Sequence, residues 1–101
     1  MASPGFNVVV GQVTGTGAPL NIRTVGFTPK SIELRAGGAS GSWMKSMADG
    51  SVYKRTAAGV GSLVTGGNGV TPLATHDGFS LGADADLNVN GTVIDYTVIC
   101  E

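Results

Sequence analysis

The chain contains a single histidine, His76, which directly precedes Asp77. A histidine oriented by a carboxylate can act as a general base toward a nearby nucleophile. That chemistry also needs a positioned nucleophile and an oxyanion site, and adjacent residues on an extended chain point to opposite faces. We therefore interpret His76 as a surface residue beside a turn-capping Asp77. Since Cys100 has no second histidine to activate it, we predict no catalytic residues and no enzymatic activity.

A second set of polar residues has the spacing of a calcium-binding loop. Oxygen-bearing side chains alternate at Asp84, Asp86 and Asn88, and Asp95 falls where the twelfth residue of such a loop would lie. The loop requires glycine at its sixth position and a bidentate glutamate at its twelfth. The sixth position is Val89 and the twelfth an aspartate, so we predict no metal site.

Composition bounds the partners and the compartment. The 101 residues fit one domain (1–101), preceded by a short flexible arm over about residues 1–5. Six Lys and Arg against seven Asp and Glu argue against nucleic acid, which needs several cations on one face. No apolar run approaches the roughly 20 residues that span a bilayer. One cysteine and no apolar leader segment indicate synthesis in a reducing cytoplasm.

Two further composition signals concern cofactors and charge. The glycine pairs Gly15/Gly17 and Gly59/Gly61 lack the third glycine and the helix of a dinucleotide-binding fingerprint, so no cofactor is expected. All six cations precede Thr56, whereas five of the seven acidic residues follow it. This asymmetry fits two structures: a sandwich that mixes the charges in space, or a dipolar molecule that packs against its own copies or a larger shell.

Turn signals and alternating apolar residues predict about eight to nine short strands. Ser31–Arg35 and Thr92–Glu101 alternate most regularly and are predicted to be central strands. Gly11 suggests a bulge in the first strand, and Pro72 places its own segment at a sheet edge. With no helix for a parallel crossover, the predicted fold class is all-β: an antiparallel β-sandwich, with a jelly roll as first choice.

Three further segments are predicted to be loops or turns. Residues 36–42 are small and glycine-rich, which indicates a loop. Asp49-Gly50 and Asn90-Gly91 are both strong signals for a two-residue hairpin turn. We predict one hairpin from strands at 42–48 and 51–56, and another from a short strand at 87–89 and the last strand.

The hairpin around Asp49-Gly50 carries the chain's densest group of aromatic, sulfur-bearing and cationic residues. Trp, Tyr, Met and Arg are enriched in protein interfaces, and flat Trp and Tyr rings also stack on sugars. Alternate members of the group could equally fill the sandwich core, and the sequence leaves both interpretations open. The candidate contact residues are Trp43, Met44, Lys45, Met47, Tyr53, Lys54 and Arg55.

Three motifs in the chain resemble a family of small phage structural modules found in head-decoration proteins and tail fibres. The first is a corner and strand, the second a shorter corner and the third the closing strand. They cover about half of the chain and leave 36–75 unmatched. The matching residues are Gly26, Phe27, Pro29, Ile32 and Leu34, then Asp77, Gly78 and Phe79, and finally Tyr96 to Ile99.

The resemblance implies a virion structural protein without a cofactor. Because the module makes up the whole 101-residue chain, we expect a capsid decoration or cement protein that binds an assembled shell in many copies. Its partner would be the major capsid protein or another virion protein, and we expect a homo-oligomer, a trimer rather than a dimer. The alternative is a tail-fibre, receptor-binding or glycan-binding module. In the arm and the start of the first strand, the candidate contacts are Ser3, Pro4 and Phe6.

Overall fold

The computed structural model describes residues 7–23, 29–73 and 78–100, with the backbone alone for Asn7 and Cys100. Within these ranges the chain forms nine β-strands and no helix. In chain order the strands are β1 Asn7–Thr14, β2 Leu20–Ile22, β3 Pro29–Ala36, β4 Ala39–Met44, β5 Val52–Arg55, β6 Gly61–Val64, β7 Val70–Pro72, β8 Phe79–Leu81 and β9 Val93–Cys100.

The strands form two antiparallel sheets around a shared core. The larger sheet has the order β1-β9-β3-β4-β5-β6 and the smaller β2-β8-β7. Between them the rings of Phe79 and Tyr96 meet edge to face, with centroids 5.8 Å apart. The predicted all-β fold with antiparallel sheets is confirmed, and the jelly-roll winding stays a prediction. The largest buried apolar side chains are Ile32, Leu34, Trp43 and Ile94 from one sheet and Phe79 and Leu81 from the other, together with Leu87 from a loop.

The two most regular strands are central, as predicted. β9 lies between β1 and β3, and β3 lies between β9 and β4. Alternate residues of β3 are buried, including Ile32 and Leu34, while Glu33 and Arg35 are exposed. Period-two alternation therefore identifies the inner and outer faces of the larger sheet. Pro72 also lies where predicted, in the edge strand of the smaller sheet.

The prediction of a loop over residues 36–42 is wrong. Ala36 pairs directly with Ala39, so Gly37 and Gly38 form a two-residue hairpin and β4 begins at once. Gly37 has a φ of +63°, which a hairpin turn of this length requires at its first position. The start of β4 lacks a recognisable strand pattern because its inward-facing residues Ala39 and Gly41 are small. A methyl group at Gly41 would lie 2.9 Å from Leu87, which fills that space.

The two strongest turn signals both form tight turns, but neither turn joins the predicted pair of strands. The turn at Asp49-Gly50 is closed by Ser51 N–H donating to Ala48 O at 3.3 Å. β4 and β5 do pair, but their pairing ends at Ser42 and Tyr53, so this turn lies within a longer connection. Gly50 is held there by its N–H, which donates to Val70 O at 2.8 Å. Asn90-Gly91 does form a tight turn, closed by Thr92 N–H donating to Val89 O at 3.0 Å. The strand predicted before it, at 87–89, is a turn.

The bulge predicted at Gly11 is wrong. β1 pairs with β9 in unbroken register, with Gly11 opposite Tyr96. A side chain at Gly11 would place its first carbon 2.5 Å from the Tyr96 hydroxyl oxygen. The glycine therefore provides room for the tyrosine ring on the inner face. The only shift in this region separates Pro29 from Ser31, where β3 pairs with β9.

Candidate interaction surface

The predicted hairpin residues divide between the two faces of the larger sheet. Trp43 is 1% exposed and belongs to the core, and Met47 is half-buried against that core. Met44 and Tyr53 point the other way and are 55% and 52% exposed. The group therefore contributes to both the core and the surface: the core interpretation holds for Trp43, and the contact interpretation stays a prediction for the exposed members.

Trp43 is not a contact residue in this structure. Its indole is enclosed by the core, so neither ring face is available for a sugar or a protein partner. The indole nitrogen Nε1 is buried and has no hydrogen-bond partner among the described residues. Removing the ring would open a core cavity, so a Trp43→Ala variant would test stability and not binding.

Lys54 also lies on the inner face, as part of an ionic cluster. Its ammonium Nζ donates to Asp84 Oδ1 at 3.0 Å and to Asp86 Oδ2 at 2.8 Å. The other oxygen of Asp84 accepts the N–H groups of Asp86 and Leu87, which fixes the turn that begins there. The carboxylates that suggested calcium thus bind a lysine, and no group of three or more His, Cys, Asp or Glu in the described ranges is arranged for a metal ion.

Hydrogen bonding in this cluster affects the lysine's acidity. The hydrogen bond to Asp86, followed by that to Asp84, raises the pKa of Lys54 above its usual 10.5. A lysine whose pKa is raised by folding contributes stability at pH values below its unfolded pKa, and this contribution is lost as the pH rises through the folded value. The cluster therefore stabilises the fold at neutral pH and ceases to do so in strong alkali.

Lys54→Gln is expected to lower the free energy of unfolding by about 2 kcal/mol at pH 7, since hydrogen bonds to charged groups contribute about 1.5–3 kcal/mol. Urea unfolding of parent and variant from pH 7 to pH 12 measures the difference, which should shrink above the unfolded pKa of Lys54. Lys30→Gln, at an exposed lysine of β3, is the control and should change stability by less than about 0.5 kcal/mol. A parent-to-variant difference that grows with pH would contradict the assignment.

The outer face of the larger sheet carries an apolar patch at its β4–β6 end. Tyr53 on β5 lies opposite Leu63 on β6, and Leu63 is 58% exposed. The tyrosine leans across the neighbouring strand, because a side chain at Gly61 would come within 2.9 Å of its hydroxyl oxygen. We call Met44, Tyr53, Arg55 and Leu63 the outer patch.

Polar groups border the outer patch on the side of the sheet centre. Ser42 pairs with Tyr53, and its hydroxyl donates to Glu33 Oε2 at 3.0 Å. Arg55 is exposed and lies two residues from Tyr53 on the same strand and face. An aromatic ring, two apolar side chains and an arginine within a polar border match the composition of protein-binding surfaces.

Comparison with known proteins identifies no relative. Neither the protein-family models, the curated proteins nor the solved structures contain a match to this chain. Over the part of the chain that the structure describes, no helix is long and apolar enough to cross a membrane.

Several predicted residues lie outside the described ranges. These are Ser3, Pro4 and Phe6 of the N-terminal segment, the corner residues Gly26 and Phe27, and His76 with Asp77. Lys45 is exposed and directly follows β4. The structure therefore brings together Met44, Tyr53 and Arg55 from the predicted contact set, and it moves Trp43 and Lys54 to the inner face.

Sequence reasoning missed Leu63 as a surface residue. Its four-residue strand of Gly, Ser, Leu and Val has too little alternation of apolar and polar residues to indicate which side chains face outward. Its partnership with Tyr53 depends on the β5–β6 register, which no local signal fixes.

Proposed function

We propose that this chain is a virion structural protein that binds an assembled phage shell in many copies as a decoration or cement protein. The outer patch carries the proposal, because it gives a small protein an exposed aromatic and apolar anchor beside an arginine. Tyrosine and arginine are enriched among the few residues that dominate binding energies, which lie near the centre of an interface and are surrounded by contacts that exclude water. The expected partner is the major capsid protein or another virion protein.

The resemblance to phage modules supports the same proposal at the level of the fold. Of its matched residues, Ile32 and Leu34 are core residues of a central strand, and Phe79 is a core residue of β8. Because these residues pack the core, they support a similar architecture but not a particular activity. The activity has to be tested with substitutions at the surface.

Binding to shells is tested with particles purified from cells that express the neighbouring virion genes but lack this one. We expect the purified protein to saturate such shells, and Met44→Ser with Tyr53→Ser to weaken binding at least about 30-fold, since truncating a central anchor costs about 2 kcal/mol or more. Copies bound per shell are measured by co-sedimentation and electron microscopy. Val93→Ser is the matched control, because Val93 is an exposed apolar residue on β9, outside the outer patch.

The alternative function, glycan or receptor binding, has a distinct outcome. Only one of the two aromatic rings proposed as a sugar platform is exposed, since Trp43 is in the core. Shells that bind none of the parent protein, together with Tyr53-dependent retention on a glycan array, would replace the decoration proposal with a glycan-binding one.

A further inference from the structure

Strand β6 lies at an edge of the larger sheet, and apart from its short length it has no protective feature. It pairs with β5 on one side, and no strand of the described residues lies on its other side. Its four residues, Gly61–Val64, include no charge and no proline. Natural edge strands are usually blunted by lysine, proline, bulges or a covering segment, because their free N–H and C=O groups can pair with another chain.

Strand β1, the opposite edge of the same sheet, shares these properties. Its eight residues, Asn7–Thr14, contain no charge and no proline, and they pair with β9 without a bulge. Val10 is 72% exposed on the outer face. The smaller sheet differs: both of its edge strands, β2 and β7, are only three residues long, and β7 ends in Pro72, which cannot donate to a ladder. The two longer edges without charge or proline therefore belong to one sheet.

The direction of the strands makes these two edges complementary. Each neighbouring pair in the larger sheet for which a register is defined is antiparallel, and there are six strands, so β1 and β6 run in opposite directions. A second copy in the same orientation can thus place its β1 beside β6 of the first and continue the antiparallel order. An odd number of strands would have made this contact parallel.

The cross-strand rows of the sheet also continue across such a contact. One row runs over the outer face from Val10 on β1 to Leu63 on β6, through Thr97, Glu33, Ser42 and Tyr53. If this row extends into the next copy, Leu63 lies opposite that copy's Val10, and Gly61–Val64 as a whole faces residues 9–12. Cross-strand apolar pairs of this kind stabilise sheets.

The contact would also bury apolar side chains on the inner face of the sheet. Val9 on β1 and Val64 on β6 are only partly buried, although both pack against the core. In the same register they become neighbours, so each copy would cover the open end of the other's core. The contact therefore buries apolar side chains on both faces and satisfies two edges at once.

We propose that copies of this chain associate head to tail, with β1 of one copy adding to β6 of the next as a continuous antiparallel sheet. The proposal concerns contacts between copies and does not depend on shell binding by the outer patch. A two-fold contact of β1 with β1, or of β6 with β6, would leave the other unprotected edge open. The head-to-tail contact covers both with one interface, and it closes as a ring or continues as a filament.

Two lysine substitutions test the proposal. Val10→Lys disables the β1 edge and Leu63→Lys the β6 edge, and both positions are exposed, so each variant should fold. Tryptophan fluorescence of the buried Trp43 checks the fold. Masses are measured by light scattering after size exclusion at about 100 µM, a concentration at which contacts of micromolar Kd are populated. Val93→Lys, on an interior strand of the same sheet, is the matched control.

The parent and Val93→Lys are expected to exceed the 10.1 kDa mass of one chain, and each edge variant alone is expected to be a monomer. Mixed in equal amounts, the two edge variants should form a one-to-one complex, because the intact β6 of one can still pair with the intact β1 of the other. Persistent self-association of either edge variant alone, a mixture that stays monomeric, a monomeric Val93→Lys or a monomeric parent would each overturn the proposal.

Discussion

Phe79→Ala is expected to lower the free energy of unfolding by about 3–5 kcal/mol, the usual cost of truncating a core phenylalanine. Phe79 is fully buried in the central strand of the smaller sheet. Its ring meets Tyr96 of the larger sheet at an interplanar angle of 82°. The truncation removes one of the contacts that hold the two sheets together. Domains of this size have a total free energy of unfolding of only about 5–15 kcal/mol, so the variant should lose a large part of its stability.

Urea unfolding followed by Trp43 fluorescence measures this loss. Tyr53→Ala is the matched control: it also truncates an aromatic side chain, but one that is half exposed, and it should cost much less. Phe79→Leu should recover part of the loss by refilling the space. A cost below about 1 kcal/mol for Phe79→Ala would mean that the sheets are not packed on this ring, since surface substitutions change stability by about 0.5 kcal/mol.

The sequence predicts the central strands well because their signal is local. In β3 apolar residues alternate with charged ones from Ile32 to Ala36, and in β9 the buried residues Ile94, Tyr96 and Val98 occupy alternate positions, so both the strand and its buried face can be predicted. Phe79 likewise follows a turn signal and begins an apolar strand, and it is fully buried. Phe27, which follows the other corner, lies outside the described residues.

Trp43 and Tyr53 show what local sequence signals cannot predict. Trp43 and Tyr53 lie on opposite faces both in the observed pairing of Ser42 with Tyr53 and in the pairing that a turn at Asp49-Gly50 would give. The sequence therefore predicts that only one of the two rings is in the core, but not which one. That choice depends on which face the smaller sheet covers, and this is a tertiary property.

The ionic contacts of Lys54 could not be predicted from the sequence either, because they join residues far apart in the chain. Lys54 precedes Asp84 by 30 residues, and only the packing of the 84–88 turn on β5 brings them together. In the sequence the lysine is one of three cations near an aromatic group, and the aspartates resemble a metal loop. Neither pattern indicates that the lysine and the aspartates are partners, whereas the fold pairs them with each other.

Asn88 provides the second large expected effect. It is 2% exposed, and its side-chain amide connects the loop between β1 and β2 to the loop between β8 and β9. Oδ1 accepts the N–H groups of Thr16 and Gly17 at 2.9 and 3.3 Å, and Nδ2 donates to the carbonyls of Ala18 and Gly82 at 2.7 and 3.0 Å. A buried amide with all of its main bonding directions in use fixes the position of each segment it contacts.

Asn88→Ala is therefore expected to cost about 2–4 kcal/mol, since each buried group left without a partner costs about 1–3 kcal/mol and water can reach some of the four. Urea unfolding measures the loss of unfolding free energy, and faster hydrogen exchange at the amides of Thr16 and Gly17 would show that the loss arises at this network. Asn21→Ala, at an exposed asparagine of β2, is the control and should cost less than about 0.5 kcal/mol.

The isosteric variant Asn88→Asp separates the two halves of this network. A carboxylate still accepts the two N–H groups, but it repels the carbonyls of Ala18 and Gly82. We expect a large loss of stability at pH 7 and a smaller one near pH 4, where a protonated carboxyl can donate to one of the carbonyls again. Because β1 ends two residues before Thr16, amide exchange along β1 should rise in the same variant. Asn88→Asp with parental stability at pH 7 would show that the donated bonds contribute nothing, and the loops would then be held by backbone contacts alone.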